Sequence, residues 1–447
     1  MFTMIHKFTL FNQYFVLDVN SGTVLCVDKL TYDVLDLYQD GIFCAQDADK
    51  LPYEEADILE VRSEIDSLIK EGLLFSPDWH AEIDINKKES VVKALCLHIA
   101  HDCNLACAYC FADKGHYGDE GKKRMSPEVG KKAIDYVIRA SGNRRNIEID
   151  FFGGEPLLGF DVVKEIVAYA EAEGKKHGKT FRFTITTNGI LLSDEVKAYI
   201  NEHMSNVVLS IDGKKETNDR MRVRLDGSGT YEAIVPKFQS LAESRGQDNY
   251  YVRGTYTAHN LHFCDDVLHL ADLGFKQVSV EPAISAPDVP YALLEEHLPI
   301  LFAEYEKLAE AMRQREAEGR GFNFFHFMID IEGGPCAIKR ISGCGAGHEY
   351  LAVTPDGALY PCHQFVGEAD MCIGNVEDGI TKPAMRDEFM HQNLYAHKAC
   401  RECWAKFYCS GGCAAAAKKY GGGEPFDLAC QLEKKRVECA IALKYAK

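Results

Sequence analysis

The chain has 447 residues, long enough for two to four domains, and 46% of them are hydrophobic, enough to bury a substantial core. A formal net charge of −18 argues against a nucleic-acid-binding surface. With no apolar run of membrane-spanning length and no signal-peptide pattern at Met1–Lys7, a cytoplasmic protein with no membrane partner is expected. Seventeen cysteines, an odd number in a chain too large to need disulfide staples, read as metal ligands in a reducing compartment.

In chain order, residues 1–89 read as a separate N-terminal domain. Three short β-prone runs, Phe8 to Phe11, Tyr14 to Asn20 and Val24 to Val27, carry a turn signal at Asn20-Ser21-Gly22. A helix capped by Thr31 follows, then a second over Tyr53 to Glu71, whose Ile58, Val61, Ile65, Leu68 and Ile69 keep helical spacing until Gly72. Strands followed by helices suggest a winged-helix-like layout. The segment holds 18 Asp and Glu against 7 Lys and Arg, a net of −11, most of the chain's excess. Solvated helix faces account for such a charge better than a basic-partner site does.

Residues 90–318 alternate strand and helix six times. The strands are Ala94–Ile99, Ile147–Phe152, Phe181–Thr187, Asn206–Ile211, Tyr251–Thr257 and Gln277–Pro282. The helices are Pro127–Ala140, Asp161–His177, Asp194–His203, Tyr231–Arg245, His262–Leu273 and Ala292–Glu318. Repeated β-α units imply a parallel sheet with right-handed crossovers, two units short of a complete barrel, with function on the loops after the strands. Unusual residues fall on those loops repeatedly: Cys103-x3-Cys107-x2-Cys110, Gly153-Gly154-Glu155-Pro156, Thr187-Asn188-Gly189, Ser210-Ile211-Asp212-Gly213 and Glu281-Pro282-Ala283.

Three thiolates on one loop suit an iron–sulfur cube with one iron left free of protein ligands. A zinc site closed by His101 is the alternative, although structural zinc prefers paired C-x2-C units. Residues 319–343 form a bridge whose Phe322 to Phe327 cluster reads as packing. In residues 344–447, Cys344 and Cys362 flank a predicted β-hairpin around Pro355-Asp356-Gly357, followed by Cys400-x2-Cys403-x5-Cys409-x3-Cys413 and Cys430. Cys400, Cys403, Cys409 and Cys413 could make one zinc site, which leaves Cys344, Cys362 and Cys430 unexplained. Cys26 and Cys96 sit on strands and read as core.

The cluster loop, with aromatic Tyr109 before its last cysteine, resembles that of the radical S-adenosylmethionine (SAM) enzymes. That resemblance implies an α/β fold, a partial six-unit (β/α) barrel. It implies that Cys103, Cys107 and Cys110 hold a catalytic [4Fe-4S] cluster whose open iron chelates SAM and releases a 5′-deoxyadenosyl radical on one-electron reduction. The expected SAM contacts are Tyr109, Gly153, Gly154, Glu155, Asn188, Ser210 and Arg222. The glycines allow close backbone approach, Glu155 anchors the turn or the ligand, and Asn188 and Ser210 meet the ribose. An arginine in a similar D-x-x-R position binds the SAM carboxylate in relatives with peptide substrates, which suits a guanidinium fork at Arg222. The bland alternative for Arg222 is a surface pair with Asp219, while Asp212 could face substrate.

The C-terminal pattern resembles the SPASM extension, which carries two auxiliary [4Fe-4S] clusters, for three clusters in all. The implied ligands are Cys344, Cys362 and Cys413 for the first, and Cys400, Cys403, Cys409 and Cys430 for the second. Residues 1–89 resemble a peptide-recognition element that takes a leader peptide as an added strand. The Ile5-His6-Lys7-Phe8 start and Leu17-Asp18-Val19-Asn20-Ser21-Gly22 extend the resemblance to maturases of SCIFF peptides, which carry six cysteines in forty-five residues. Such enzymes join a cysteine sulfur to a carbon of an acceptor residue. The implied partners are a cysteine-rich precursor peptide with a leader, and a reductant such as flavodoxin or ferredoxin. An anaerobic sulfatase-maturing (formylglycine-generating) enzyme is the alternative, and a non-catalytic iron–sulfur electron carrier or scaffold the alternative of another class. Cys336, eight positions before Cys344, could close the first auxiliary site or leave it open.

Overall fold

The computed structural model describes residues 4–82, 90–118, 121–331 and 341–446. Strands Ile5–Leu10, Gln13–Asp18 and Val24–Val27 form an antiparallel sheet with the second strand in the middle. Phe11 and Asn12 both take positive φ, the geometry of a tight hairpin turn, so the first strand ends at Leu10. At the second turn Gly22, φ 76°, donates its N–H to Asp18 O. The first helix, Lys29–Val34, is capped by Asp28, whose carboxylate accepts the Thr31 N–H at 2.7 Å. Thr31 therefore lies inside the first turn: the cap must precede the amide it satisfies.

The second helix, Glu55–Lys70, buries Ile58, Val61 and Ile65, and Gly72 follows at φ 73°. It packs with Val16, Val34 and Leu35 on one side of the small sheet. Phe8, Leu10, Phe15 and Leu17 join the main core, which includes Leu428 and Leu432 of the last helix, Asp427–Tyr445.

Six parallel strands follow in consecutive order: Ala94–His101, Asn146–Gly153, Thr180–Thr187, Asn206–Ser210, Tyr250–Tyr256 and Gln277–Pro282. Each expected strand is present, as are helices Pro127–Ala140 and Asp194–His203 with their expected bounds. The helix expected from Ala292 starts at Leu298, after a 3-10 turn over Glu295–His297. An unforeseen short helix, Lys215–Met221, follows the fourth strand. The strands are not uniformly apolar: Ile147, Ile149 and Phe151 are buried, while Glu148 and Asp150 between them are more accessible. One face packs under helices and the other lines a polar lumen.

The six-strand sheet does not close on itself. Asn323–Phe324 pairs alongside the sixth strand, so part of the Phe-rich bridge is packing, as expected. On the far edge Tyr350–Val353 runs parallel to the first strand and turns into Ala358–Tyr360, the expected hairpin. The C-terminal region thus continues the barrel sheet and brings His363 and Gln364 to the lumen. Among the described residues no helix is long and apolar enough to cross a membrane.

Candidate functional site

The cysteine loop leaves the first barrel strand just after a register shift between His98 and Ala100. Two neighbours hold it. Ala106 N–H donates to Val223 O and Ala108 N–H to Met221 O, each at 2.8 Å. Gly154 N–H donates to Ala100 O at 2.8 Å and Glu155 N–H to Asp102 O at 3.0 Å. The packing is tight: a Cβ on Gly153 would lie 2.4 Å from Ala100 O, and one on Gly154 2.1 Å from Asp102 O. These glycines are demanded by the cysteine loop itself, and the Gly153 carbonyl accepts the Tyr117 hydroxyl at 3.1 Å. His101 does not join the thiols. It lies buried, its Nε2 3.1 Å from His98 Nδ1 and its ring stacked on Tyr117.

A cavity of about 350 Å³ opens over this loop. Its walls include Cys103, Cys107, Cys110, Tyr109, Gly153, Gly154, Glu155, Asn188, Ser210 and Arg222, so the motifs of four βα loops meet at one place. Glu155 is buried and anchors the turn: it accepts bonds from Leu157 N–H, Thr187 Oγ1 and Asn188 N–H at 3.1, 2.7 and 2.8 Å. Burial pushes its carboxyl up to about 7. Asn188 Nδ2 donates to Asn104 Oδ1 at 2.8 Å and its Oδ1 accepts the Ile190 N–H at 3.1 Å. The second Nδ2 hydrogen faces Cys103 Sγ at 3.7 Å, which leaves one lone pair of Oδ1 for a ligand.

Arg222 is 8% exposed and is not paired with Asp219. Asp219 instead accepts the Thr230 and Tyr231 N–H groups at the start of helix Tyr231–Ser244, and pairs with Lys215 at 2.8 Å. Arg222 Nη1 donates to Tyr109 Oη at 2.8 Å, and Tyr109 Oη donates to the carboxylate of Asp212, 2.8 Å from either oxygen. Asp212 also accepts the Thr255 N–H, so it braces the site rather than facing substrate. Burial pushes its carboxyl up to about 6, against the pull of Arg222.

Glu281, Pro282 and Ala283 of the sixth-strand loop also line it, together with residues that the sequence does not single out. Arg253 and Glu281 form an ion pair across the fifth and sixth strands, and His363, Gln364 and Tyr420 enter from the C-terminal region. A charged residue within an otherwise apolar strand was the available signal for Arg253. Nothing local marks Tyr420.

The thiols fall into three groups. Burial pushes the Cys103 thiol up to about 12, and Glu155, Cys107 and Cys110 add to the effect. Cys362 is likewise raised to about 12 by burial, with Cys413 and Cys344 as its thiol neighbours. Cys400 is raised to about 11 by burial, with Cys430 and Cys403 beside it. Cys409 is raised by burial, then Glu433, then Cys430, Cys403 and Cys400. The fourth thiol of that group is Cys430; Cys413 lies with the other pair. Among the described residues no three His, Cys, Asp or Glu side chains converge tightly enough for a single metal ion. Thiols grouped in this way fit a cationic group that would make them thiolates, as iron–sulfur clusters do. Cys96 is buried as expected, and Cys26 is half-buried with its thiol on Gln13 Oε1. Cys336 lies outside the described residues.

The class follows from fold and site together. Residues 97–263 match the radical SAM superfamily and residues 344–404 the SPASM iron–sulfur cluster-binding domain. The chain carries a radical SAM α/β fold with a C-terminal SPASM domain, which implies SAM and multiple [4Fe-4S] clusters as cofactors. It is related to maturases. It is 26% identical to mycofactocin maturase MftC of Mycolicibacterium smegmatis over 74% of this chain and 81% of that one. To the serine-type anaerobic sulfatase-maturating enzyme of Klebsiella aerogenes it is 25% identical, over 70% and 77%. A stretch of 136 residues is 34% identical to an uncharacterized protein of Methanocaldococcus jannaschii, of whose length the chain spans 44%. Among solved structures, anSMEcpe with bound AdoMet matches at TM-score 0.66 and 20% identity, covering 78% of this chain and 93% of that one. Streptococcus suis SuiB bound to S-adenosylmethionine matches at TM-score 0.54 and 17% identity, covering 96% and 98%.

Proposed function

We propose that the chain is a SCIFF-type maturase that joins a cysteine sulfur to a carbon of an acceptor residue within a cysteine-rich precursor peptide. The observation that carries this reading is the N-terminal sheet: its outer strands, Ile5–Leu10 and Val24–Val27, pair only with the middle strand among the described residues. A free edge suits strand addition by a leader peptide. The SuiB fold, alike from end to end, has also been solved bound to precursor peptide SuiA.

On this reading residues 1–89 bind the leader, 90–318 form the SAM barrel, 319–343 bridge, and 344–447 hold the auxiliary clusters. When bound, the group on Cys103, Cys107 and Cys110 supplies one-electron cleavage of SAM. Around it, Glu155 fixes the Gly153-Gly154 turn, Asn188 and Ser210 present polar groups to the ribose, and Arg222 offers its guanidinium to the carboxylate. Cys344, Cys362 and Cys413 leave one ligand position of the first auxiliary cluster to a substrate thiolate, which fixes the sulfur for bond formation. Flavodoxin or ferredoxin supplies the electron.

The sulfatase-maturing alternative is supported by the Klebsiella relative, which matches over three quarters of its length. Reduced enzyme and SAM incubated with a six-cysteine peptide, and separately with a sulfatase peptide, decide between them. Loss of two hydrogens with one cysteine protected from alkylation is expected on the first peptide. An aldehyde formed only on the second overturns the proposal.

A further inference from the structure

Arg222 lines the cavity, and its Nε is buried and makes no hydrogen bond. The rest of that side chain is firmly placed. Its backbone lies between Met221 and Val223, whose carbonyls accept the Ala108 and Ala106 N–H groups of the cysteine loop. Its Nη1 is engaged by Tyr109 Oη, whose own proton is committed to Asp212. With Nη1 engaged, the edge formed by Nε and Nη2 is the fork left to meet a planar anion, and Arg222 lines the cavity.

We infer that Tyr109, through its hydroxyl, is a positioning residue for the SAM carboxylate. With Asp212 behind it, the hydroxyl holds the Arg222 guanidinium so that its Nε–Nη2 edge faces the ligand. The aromatic residue between Cys107 and Cys110 then does more than fill space. It couples the loop that carries the cluster thiols to the side chain that orients SAM, so cluster and ligand share one frame. The inference rests on the reading of Arg222 as the carboxylate partner.

Tyr109→Phe keeps the ring and removes only the hydroxyl. The test measures equilibrium binding of SAM, and of its analogue lacking the carboxylate, to the reconstituted full-length enzyme. Tyr109→Phe is expected to weaken SAM about tenfold, the loss of one charge-assisted hydrogen bond, and to leave the analogue and the iron content unchanged. In an Arg222→Gln background the same change is expected to add nothing. Equal weakening of SAM and the analogue, or no weakening of SAM while Arg222→Gln weakens it, overturns the role of Tyr109. If Arg222→Gln itself leaves SAM affinity intact, the reading of Arg222 fails, and the inference with it.

Discussion

Asp78 accepts a hydrogen bond from Lys406 Nζ at 2.7 Å, in an ion pair whose lysine side chain is 2% exposed. The pair ties the segment after the N-terminal helices to the stretch between Cys403 and Cys409. Two further contacts reinforce it. His6 stacks on Trp404 with ring centroids 3.6 Å apart, and His80 meets Phe407 edge-on. The N-terminal residues are built into the cysteine-rich end and into the main core.

Asp78→Ala is therefore expected to destabilise the protein by about 3 kcal/mol, because it strands a buried ammonium. Burial works to raise the Asp78 carboxyl, but the bonds from Lys406 and Tyr395 outweigh it and hold the group below its ordinary value. A lowered carboxylate contributes stability above its unfolded value, near pH 4, and loses it as pH falls through the folded one. Thermal unfolding of the wild type should show that acid loss, and Asp78→Asn should lack it.

Asp150 behaves in the opposite sense. Burial, with help from Glu148, raises its carboxyl to about 6. Such a group favours the fold below its unfolded value, and that contribution is lost as pH rises from about 4 to about 6. Asp150→Asn should raise stability at neutral pH by up to about 3 kcal/mol and flatten this part of the profile, as followed by denaturant unfolding.

Replacing Cys103, Cys107 and Cys110 together with Ala should abolish 5′-deoxyadenosine release while leaving the auxiliary clusters visible in the absorption spectrum. Retained SAM cleavage in that variant would show that the catalytic cluster lies elsewhere.

Leader binding is best tested without truncation, since removing residues 1–89 would also remove Asp78 and His6 from their partners. In strand Val24–Val27 the Asp18–Thr23 bond sets the alternation, which turns the Val24 and Cys26 amides outward. Val24→Pro removes an outward donor and spares the ladder. Peptide affinity should fall at least about tenfold while SAM cleavage persists. Unchanged affinity would rule out this edge as the binding strand.

Cys336→Ala should leave iron content and turnover unchanged, with the first auxiliary cluster's spectrum responding to added peptide. Loss of that cluster would make Cys336 its fourth ligand.

Sequence alone determined the strand–helix alternation, the C-x3-C-x2-C loop and the cysteine-rich end, because these are written in local spacing: β-branched runs, helical periodicity and the gaps between thiols. Only the tertiary structure decided where long-range partners fall. It turned His101 onto Tyr117 and gave Asp219 to a helix start and Arg222 to Tyr109. It also joined the N-terminal sheet to the last helix. Such contacts depend on strand register and on how separate elements pack, and no run of neighbouring residues encodes either.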